Sequence, residues 1–139
     1  MKVLITGTSQ GIGKAIAEKF LENGHSVIGI DRQTQTVEDT AYTHFLCDVR
    51  DKEHLPEIED VEILINNAGT QNEEDIDINL KALIYITEKY GVQPNIKSIL
   101  NIGSASDVIT LLIRSSKASL RQWMSGLLLT FEKGNSRLS

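Results

Sequence analysis

Cysteine and histidine are scarce in this chain of 139 residues, which has one cysteine, Cys47, and three histidines. A single cysteine excludes an internal disulfide and a zinc site built from thiolates, and it is typical of a reducing compartment. His25, His44 and His54 have none of the spacings that metal ligands show. The sequence therefore predicts no metal site.

Long apolar runs and an excess of basic residues are missing as well. No stretch approaches the roughly 20 apolar residues of a membrane-spanning helix. With 14 basic and 19 acidic residues the net charge is -5, which argues against a nucleic-acid partner. The segment MKVLI at 1–5 runs directly into a glycine-rich turn and has no signal-peptide cleavage site, so we expect a cytoplasmic protein without membrane attachment.

The chain does contain enough apolar sequence for one folded domain, residues 1–139, with 40% apolar and 24% charged residues. Five apolar runs rich in branched residues predict strands at 2–6, 25–31, 43–47, 61–66 and 97–103. Amphipathic or charged segments predict helices at 11–23, 51–59, 73–90 and 115–132. This alternation is typical of an α/β fold with a doubly wound parallel sheet, for which we predict the strand order 3-2-1-4-5. The strand-like run 108–113 stands where a loop would fit better.

The most informative segment is TGTSQGIG at 6–13, which follows the first strand and opens the first helix. Glycines let the backbone turn sharply and approach a pyrophosphate, and the N–H groups at a helix start attract its charge. The candidate phosphate-binding residues are Gly7, Ser9, Gln10, Gly11, Ile12 and Gly13. The spacing is GxxxGxG and not the commoner GxGxxG, and an ordinary strand-to-helix turn also uses glycines.

Asp31 ends the second predicted strand, 18 positions after Gly13. A carboxylate at this place accepts hydrogen bonds from the ribose of an adenosine and repels the additional phosphate of NADP. Arg32 follows it and would offset part of that repulsion, so NAD is favoured over NADP. Taken alone, Asp31 would be a solvated strand end, but the glycine turn in register favours cofactor binding.

These residues resemble the short-chain dehydrogenase/reductase family. The motifs that carry the resemblance are TGTSQGIG at 6–13, Asp31, CDV at 47–49, NNAG at 66–69, Asn79 and IGS at 102–104. The match runs to about Ser106 and returns weakly around Lys117. It implies a Rossmann-like fold, an NAD(P) cofactor and hydride transfer to or from a small alcohol or carbonyl substrate. It also implies a homo-oligomer, a dimer or tetramer, packed through helices 73–90 and 115–132.

The resemblance implies five further cofactor contacts. Asp48 would bind the edge of the adenine, and Val49 would pack near its ring. Asn67, Ala68 and Gly69 would stabilise the end of the fourth strand and line the cofactor cleft.

It also implies three catalytic residues. Ser104 would hold the substrate carbonyl, Asn79 would position a water for proton transfer, and Lys117 would bind the nicotinamide ribose. Without the resemblance, Ser104 would be a turn or capping serine, and Asn79 and Lys117 would be solvated helix residues.

The chain departs from the family at Ile113, which stands four positions before Lys117 where the family has its catalytic tyrosine. Isoleucine has no titratable proton, so the proton donor of the reaction is missing. The sequence also ends before the last strands of the family, through truncation or as a natural variant, and strand 97–103 would then be an unpaired edge. Two hypotheses follow: an oxidoreductase of doubtful activity, or a non-catalytic module that binds a dinucleotide and oligomerises.

Overall fold

A computed structural model of the chain describes residues 1–67, 76–102 and 109–112, and in 76–80 and 109–112 it describes the backbone alone. These residues form six β-strands and two α-helices, in the order β1 Lys2–Thr6, α1 Gly11–Glu22, β2 Ser26–Asp31, β3 Tyr42–Leu46, β4 Ile63–Asn66, α2 Ile76–Tyr90, β5 Ser98–Ile102 and β6 Ile109–Leu112. The predicted helix at 115–132 lies outside the described residues.

The strands form one sheet in the order β3-β2-β1-β4-β5-β6. Strand β1 lies near its centre and pairs in parallel with β2 and β4, so that Leu4 has Ile28 on one side and Leu64 on the other. Strands β3 and β5 extend the parallel sheet outwards. The predicted strand order 3-2-1-4-5 is confirmed.

The prediction of an unpaired edge at 97–103 was wrong. Strand β6 pairs with β5 in antiparallel fashion, with Ile102 opposite Ile109 and Ile99 opposite Leu112. An antiparallel partner needs no crossover helix, so residues 109–112 can lie alongside β5.

The prediction of a short helix at 51–59 was also wrong, because this segment contains turns and irregular backbone. Pro56 has no N–H to donate, and it disfavours helical backbone at Leu55 before it. Leu55 and Ile58 nevertheless bury their side chains, each 6% exposed. The segment therefore contributes to the core without being helical.

The two faces of the sheet carry separate apolar clusters, because successive side chains of a strand point to opposite faces. Val3 and Ile5 lie in the cluster that includes Phe20 of α1, whereas Leu4 lies in the cluster that includes Ile86 and Tyr90 of α2. Central parallel strands covered on both faces are continuously apolar, as β1 and β4 are.

Within residues 1–67 and 76–102, no helix combines the length and the apolar character needed to cross a membrane.

The parallel order places the carboxyl ends of β1, β2, β4 and β5 along the same edge of the sheet. In doubly wound sheets this edge is where ligands bind.

Candidate functional site

The turn between β1 and α1 presents backbone N–H groups to its outside. Gly7 and Gly11 have φ angles of +78° and +60°, a region that favours glycine. Gln10 caps α1 without a side-chain hydrogen bond. Among the described residues, the N–H groups of Gly11, Ile12 and Gly13 have no acceptor. A helix start with free N–H groups is a site for an anion.

Gly13 packs so closely against the turn that no side chain would fit. A Cβ atom there would overlap the Gly7 carbonyl oxygen and Nδ2 of Asn67. Asn67 holds this arrangement, since its Nδ2 donates to the Gly7 carbonyl at 3.0 Å and its backbone N–H donates to Oγ1 of Thr6 at 3.0 Å. On the outer side, a Cβ on Gly11 would meet none of the described atoms within 4 Å. Among the described residues, the turn therefore leaves space open beside Gly11, where a diphosphate would fit.

Asp31 lies directly beside this turn. Its Oδ2 accepts the Ser9 N–H at 2.9 Å, and its Oδ1 accepts the Gln33 N–H at 2.8 Å. A carboxylate has about four acceptor positions, so two are left for the hydroxyls of a ribose. The structure thus brings Asp31 and Ser9 together, while the neighbouring Arg32 is exposed.

Asp48, which follows β3, is paired with a residue that the sequence analysis did not single out. Arg50 donates from Nη2 to Oδ2 at 2.8 Å and from Nε to Oδ1 at 3.0 Å, and its backbone N–H also donates to Oδ1 at 2.9 Å. The side-chain hydrogen bonds from Arg50 are the main reason that the pKa of Asp48 is lowered. Val49 is half-buried and packs against the α2-side core. An adenine edge at Asp48 would share the carboxylate with Arg50.

A chain of hydrogen bonds under the turn also went unpredicted. Oγ1 of Thr8 lies 2.6 Å from the hydroxyl of Tyr42, which lies 2.7 Å from Nδ1 of His44. Nε2 of His44 lies 3.0 Å from the Gln33 carbonyl oxygen. The only signal in the sequence is two polar residues at alternate positions of β3, which is too common to indicate a site.

The predicted catalytic residues are placed only in part. The structure places Asn79 on α2 by its backbone alone, and Ser104, Lys117 and Ile113 lie outside the described residues. Ala68 and Gly69 lie outside them too.

Side-chain hydrogen bonds connect the carboxyl ends of β4 and β5. Nδ2 of Asn66, a residue 5% exposed, donates to Oδ1 of Asn101 at 2.8 Å and to Oγ1 of Thr87 at 3.1 Å.

In the part of the chain that the structure describes, no three His, Cys, Asp or Glu side chains are grouped so as to hold a metal ion.

Comparison with known proteins agrees with this geometry. The family model described as short chain dehydrogenase matches residues 1–127. The NADP-dependent 3-hydroxy acid dehydrogenase YdfG of Salmonella typhi is 35% identical over 136 residues, covering 76% of this chain and 55% of that protein.

Two solved structures are similar as well. Serine dehydrogenase from Escherichia coli has a TM-score of 0.60 and 30% identity, covering 75% of this chain and 62% of that chain. A short chain dehydrogenase from Leptospira borgpetersenii with bound NAD+ has a TM-score of 0.62 and 24% identity, covering 74% of this chain and 51% of that chain, and this likeness shows the fold alone.

The chain spans about half the length of the curated relatives it matches, 55% for the Salmonella protein. The match to the family model nevertheless covers most of the chain, and the five parallel strands have the order predicted for a doubly wound sheet. The chain belongs to the short chain dehydrogenase family.

Proposed function

We propose that the chain binds a nicotinamide dinucleotide across the carboxyl ends of β1 and β4. Two observations carry this proposal. The N–H groups of Gly11, Ile12 and Gly13 have no acceptor among the described residues, and the same turn is bonded through the Ser9 N–H to the carboxylate of Asp31 on the neighbouring strand. The N–H groups suit a diphosphate, and the carboxylate suits the hydroxyls of the adjoining ribose.

NAD is the proposed cofactor in preference to NADP. The side chain of Asp31 would repel a phosphate on the ribose, and exposed Arg32 offsets only part of this repulsion. The relative from Salmonella typhi is named as NADP-dependent, so the preference must be measured with both cofactors. Tighter binding of NADPH than of NADH would contradict the proposed preference.

The proposed reaction is hydride transfer between NAD(P) and an alcohol or carbonyl group, and the bound nicotinamide would supply the hydride chemistry. Following the family resemblance, Ser104 would polarise the carbonyl, Asn79 would support a water, and Lys117 would bind the ribose. The names of two relatives, a 3-hydroxy acid dehydrogenase and a serine 3-dehydrogenase, make 3-hydroxy acids the first substrates to test.

Ile113 favours a second candidate function, a module that binds the dinucleotide without catalysis. Loss of a general acid or base lowers a rate by typically about 10²–10⁴-fold, and isoleucine supplies neither. Both candidates share the binding site, so they differ in turnover and not in affinity.

The deciding experiment combines fluorescence titration with NADH and a turnover assay with NAD and 3-hydroxy acids. NADH formation above the buffer rate supports the oxidoreductase, and binding without turnover supports the module. The variant Ile113→Tyr is then expected to raise turnover without changing the Kd for NADH. Failure of the chain to bind either cofactor would refute both.

We also propose that the chain forms a homo-oligomer, a dimer or tetramer. The family resemblance supports this proposal, and on α2 the side chain of Ile84 is 48% exposed. Sedimentation equilibrium measures the mass in solution, and a monomer at every concentration would contradict this proposal.

A further inference from the structure

Hydrogen bonds under the glycine turn have a direction that can be assigned from their end point. The Gln33 carbonyl oxygen can only accept, so Nε2–H of His44 donates to it. In this tautomer Nδ1 accepts from the Tyr42 hydroxyl, whose oxygen accepts from Oγ1–H of Thr8. Burial raises the pKa of Tyr42, so its phenol keeps the proton that it donates. Each of the three hydrogen bonds therefore has a donor and an acceptor.

The sheet makes room for this chain of hydrogen bonds at Gly29 of β2. A Cβ atom at Gly29 would overlap the Tyr42 hydroxyl oxygen and Oγ1 of Thr8. Glycine in the interior of a strand weakens it, and it often marks the close approach of another group. Here it stands between the buried residues Ile28 and Ile30, where a larger residue would otherwise fill the core.

Gln33 connects these hydrogen bonds to Asp31, the carboxylate that we propose binds the ribose. Its carbonyl accepts from His44 and also from Oγ of Ser9 at 3.2 Å, while its N–H donates to Asp31. Ser9 in turn donates its backbone N–H to Asp31, and its carbonyl accepts from Oγ1 of Thr36 at 2.6 Å. The turn and the connection after β2 are thus held together at several points.

We propose that Tyr42 and His44 are positioning residues of the dinucleotide site, which set the spacing between the glycine turn and Asp31. This inference rests on the proposed function. Neither residue contacts the open outer side of the turn in the described structure, so both act through Thr8 and Gln33. The diphosphate and the adenosine ribose would otherwise meet a turn and a carboxylate free to move apart.

The test compares two variants that each delete one buried phenolic hydroxyl, Tyr42→Phe and Tyr90→Phe. The Tyr90 hydroxyl donates to the Pro56 carbonyl at 2.6 Å on the opposite face of the sheet, so it serves as the matched control. Both variants are expected to lower the Tm. Only Tyr42→Phe is expected to raise the Kd for NADH and for ADP-ribose, by about tenfold for the two hydrogen bonds lost.

A second pair of variants separates positioning from stability. Thr8→Ser keeps the hydroxyl and is expected to bind NADH within about twofold of the unmodified chain, while Thr8→Val is expected to weaken binding as much as Tyr42→Phe. His44→Leu removes the hydrogen bonds to Tyr42 and Gln33, and it is expected to weaken NADH binding as well.

An unchanged Kd in Tyr42→Phe and Thr8→Val would overturn the inference, and so would loss of folding in both, because the hydroxyls would then serve stability alone. Equal weakening in Tyr90→Phe would overturn it too. Failure of the unmodified chain to bind NADH is a separate result, which would refute the proposed function and this inference with it.

Discussion

Replacing Asp31 with asparagine removes one charge at the proposed ribose site while keeping the shape of the side chain. In the structure the carboxylate accepts two backbone N–H groups, from Ser9 at 2.9 Å and from Gln33 at 2.8 Å. The single carbonyl oxygen of asparagine can accept only in place of one carboxylate oxygen, and its amide can only donate. A hydrogen bond to a charged group contributes about 1.5–3 kcal/mol, so we expect a loss of stability near the lower bound for this half-buried site.

The effect on cofactor choice follows from Coulomb's law. A carboxylate about 5 Å from one phosphate charge repels it by about 3 kcal/mol at an effective dielectric constant of about 20. Arg32 attracts the same phosphate and is still present in the variant, so Asp31→Asn removes the repulsion by the carboxylate itself, which solvent and salt reduce below about 3 kcal/mol. The ribose of NADH loses a charged acceptor at the same time. We expect the ratio of the Kd for NADPH to the Kd for NADH to fall by about 10- to 100-fold.

Fluorescence titration of both cofactors on both proteins measures this ratio directly. Asp39→Asn is a suitable control, because Asp39 is an exposed carboxylate of the same connection that accepts the Ala41 N–H at 2.8 Å. It changes the net charge equally but lies outside the proposed site, so its ratio should stay within about twofold of the original. An identical ratio in Asp31→Asn and the unmodified chain would refute the ribose assignment.

Two more predictions concern the turn and the opposite end of the sheet. Gly13→Ala is expected to lower the free energy of unfolding by about 1–3 kcal/mol and to weaken NADH binding at least about tenfold, because the added methyl overlaps Gly7. Gly24→Ala, strained at φ +82° but far from the turn, should lower the Tm without changing the Kd for NADH. Equal Kd values in Gly13→Ala and Gly24→Ala would contradict this view. Burial, followed by the charge of the Met1 amine 2.8 Å away, lowers the pKa of His25 from 6.5. As the pH falls, the unfolded chain therefore binds a proton at His25 before the folded chain does. The free energy of unfolding then decreases at pH values below about 6.5. Urea unfolding should therefore show a larger loss between about pH 7.5 and about pH 5 in the unmodified chain than in His25→Asn, and equal losses would contradict the stated cause.

The sequence predicted the parts of the fold that depend on local pattern. Continuous apolar runs in β1 and β4 are typical of strands covered on both faces, and the structure confirms both strands. The pairing of β6 with β5 was missed because an apolar run does not indicate which strand it pairs with, or whether the pairing is parallel or antiparallel. The helix at 51–59 was wrongly predicted because its charged residues favour a helix, whereas Pro56 does not.

The site was predictable only where a position in the fold requires a particular residue type. Gly7, Gly13 and Asp31 were found because positive φ, close packing and an acidic strand end leave recognisable spacings. The bond between Ser9 and Asp31 spans 22 positions, and the one between Thr8 and Tyr42 spans 34. Such contacts depend on how loops close over the sheet edge, which no local pattern records. The roles of Ser104, Asn79 and Lys117 stay predictions.

The most direct test of the central claim is an NMR titration of glycine amides with NADH. The chain has ten glycines, so selective ¹⁵N-glycine labelling gives a simple spectrum. We expect large, saturable shifts for Gly11 and Gly13 at the start of α1, and almost none for Gly24 and Gly91 at the far end of the sheet. Unchanged Gly11 and Gly13 signals at saturating NADH would contradict the claim that this turn binds the diphosphate.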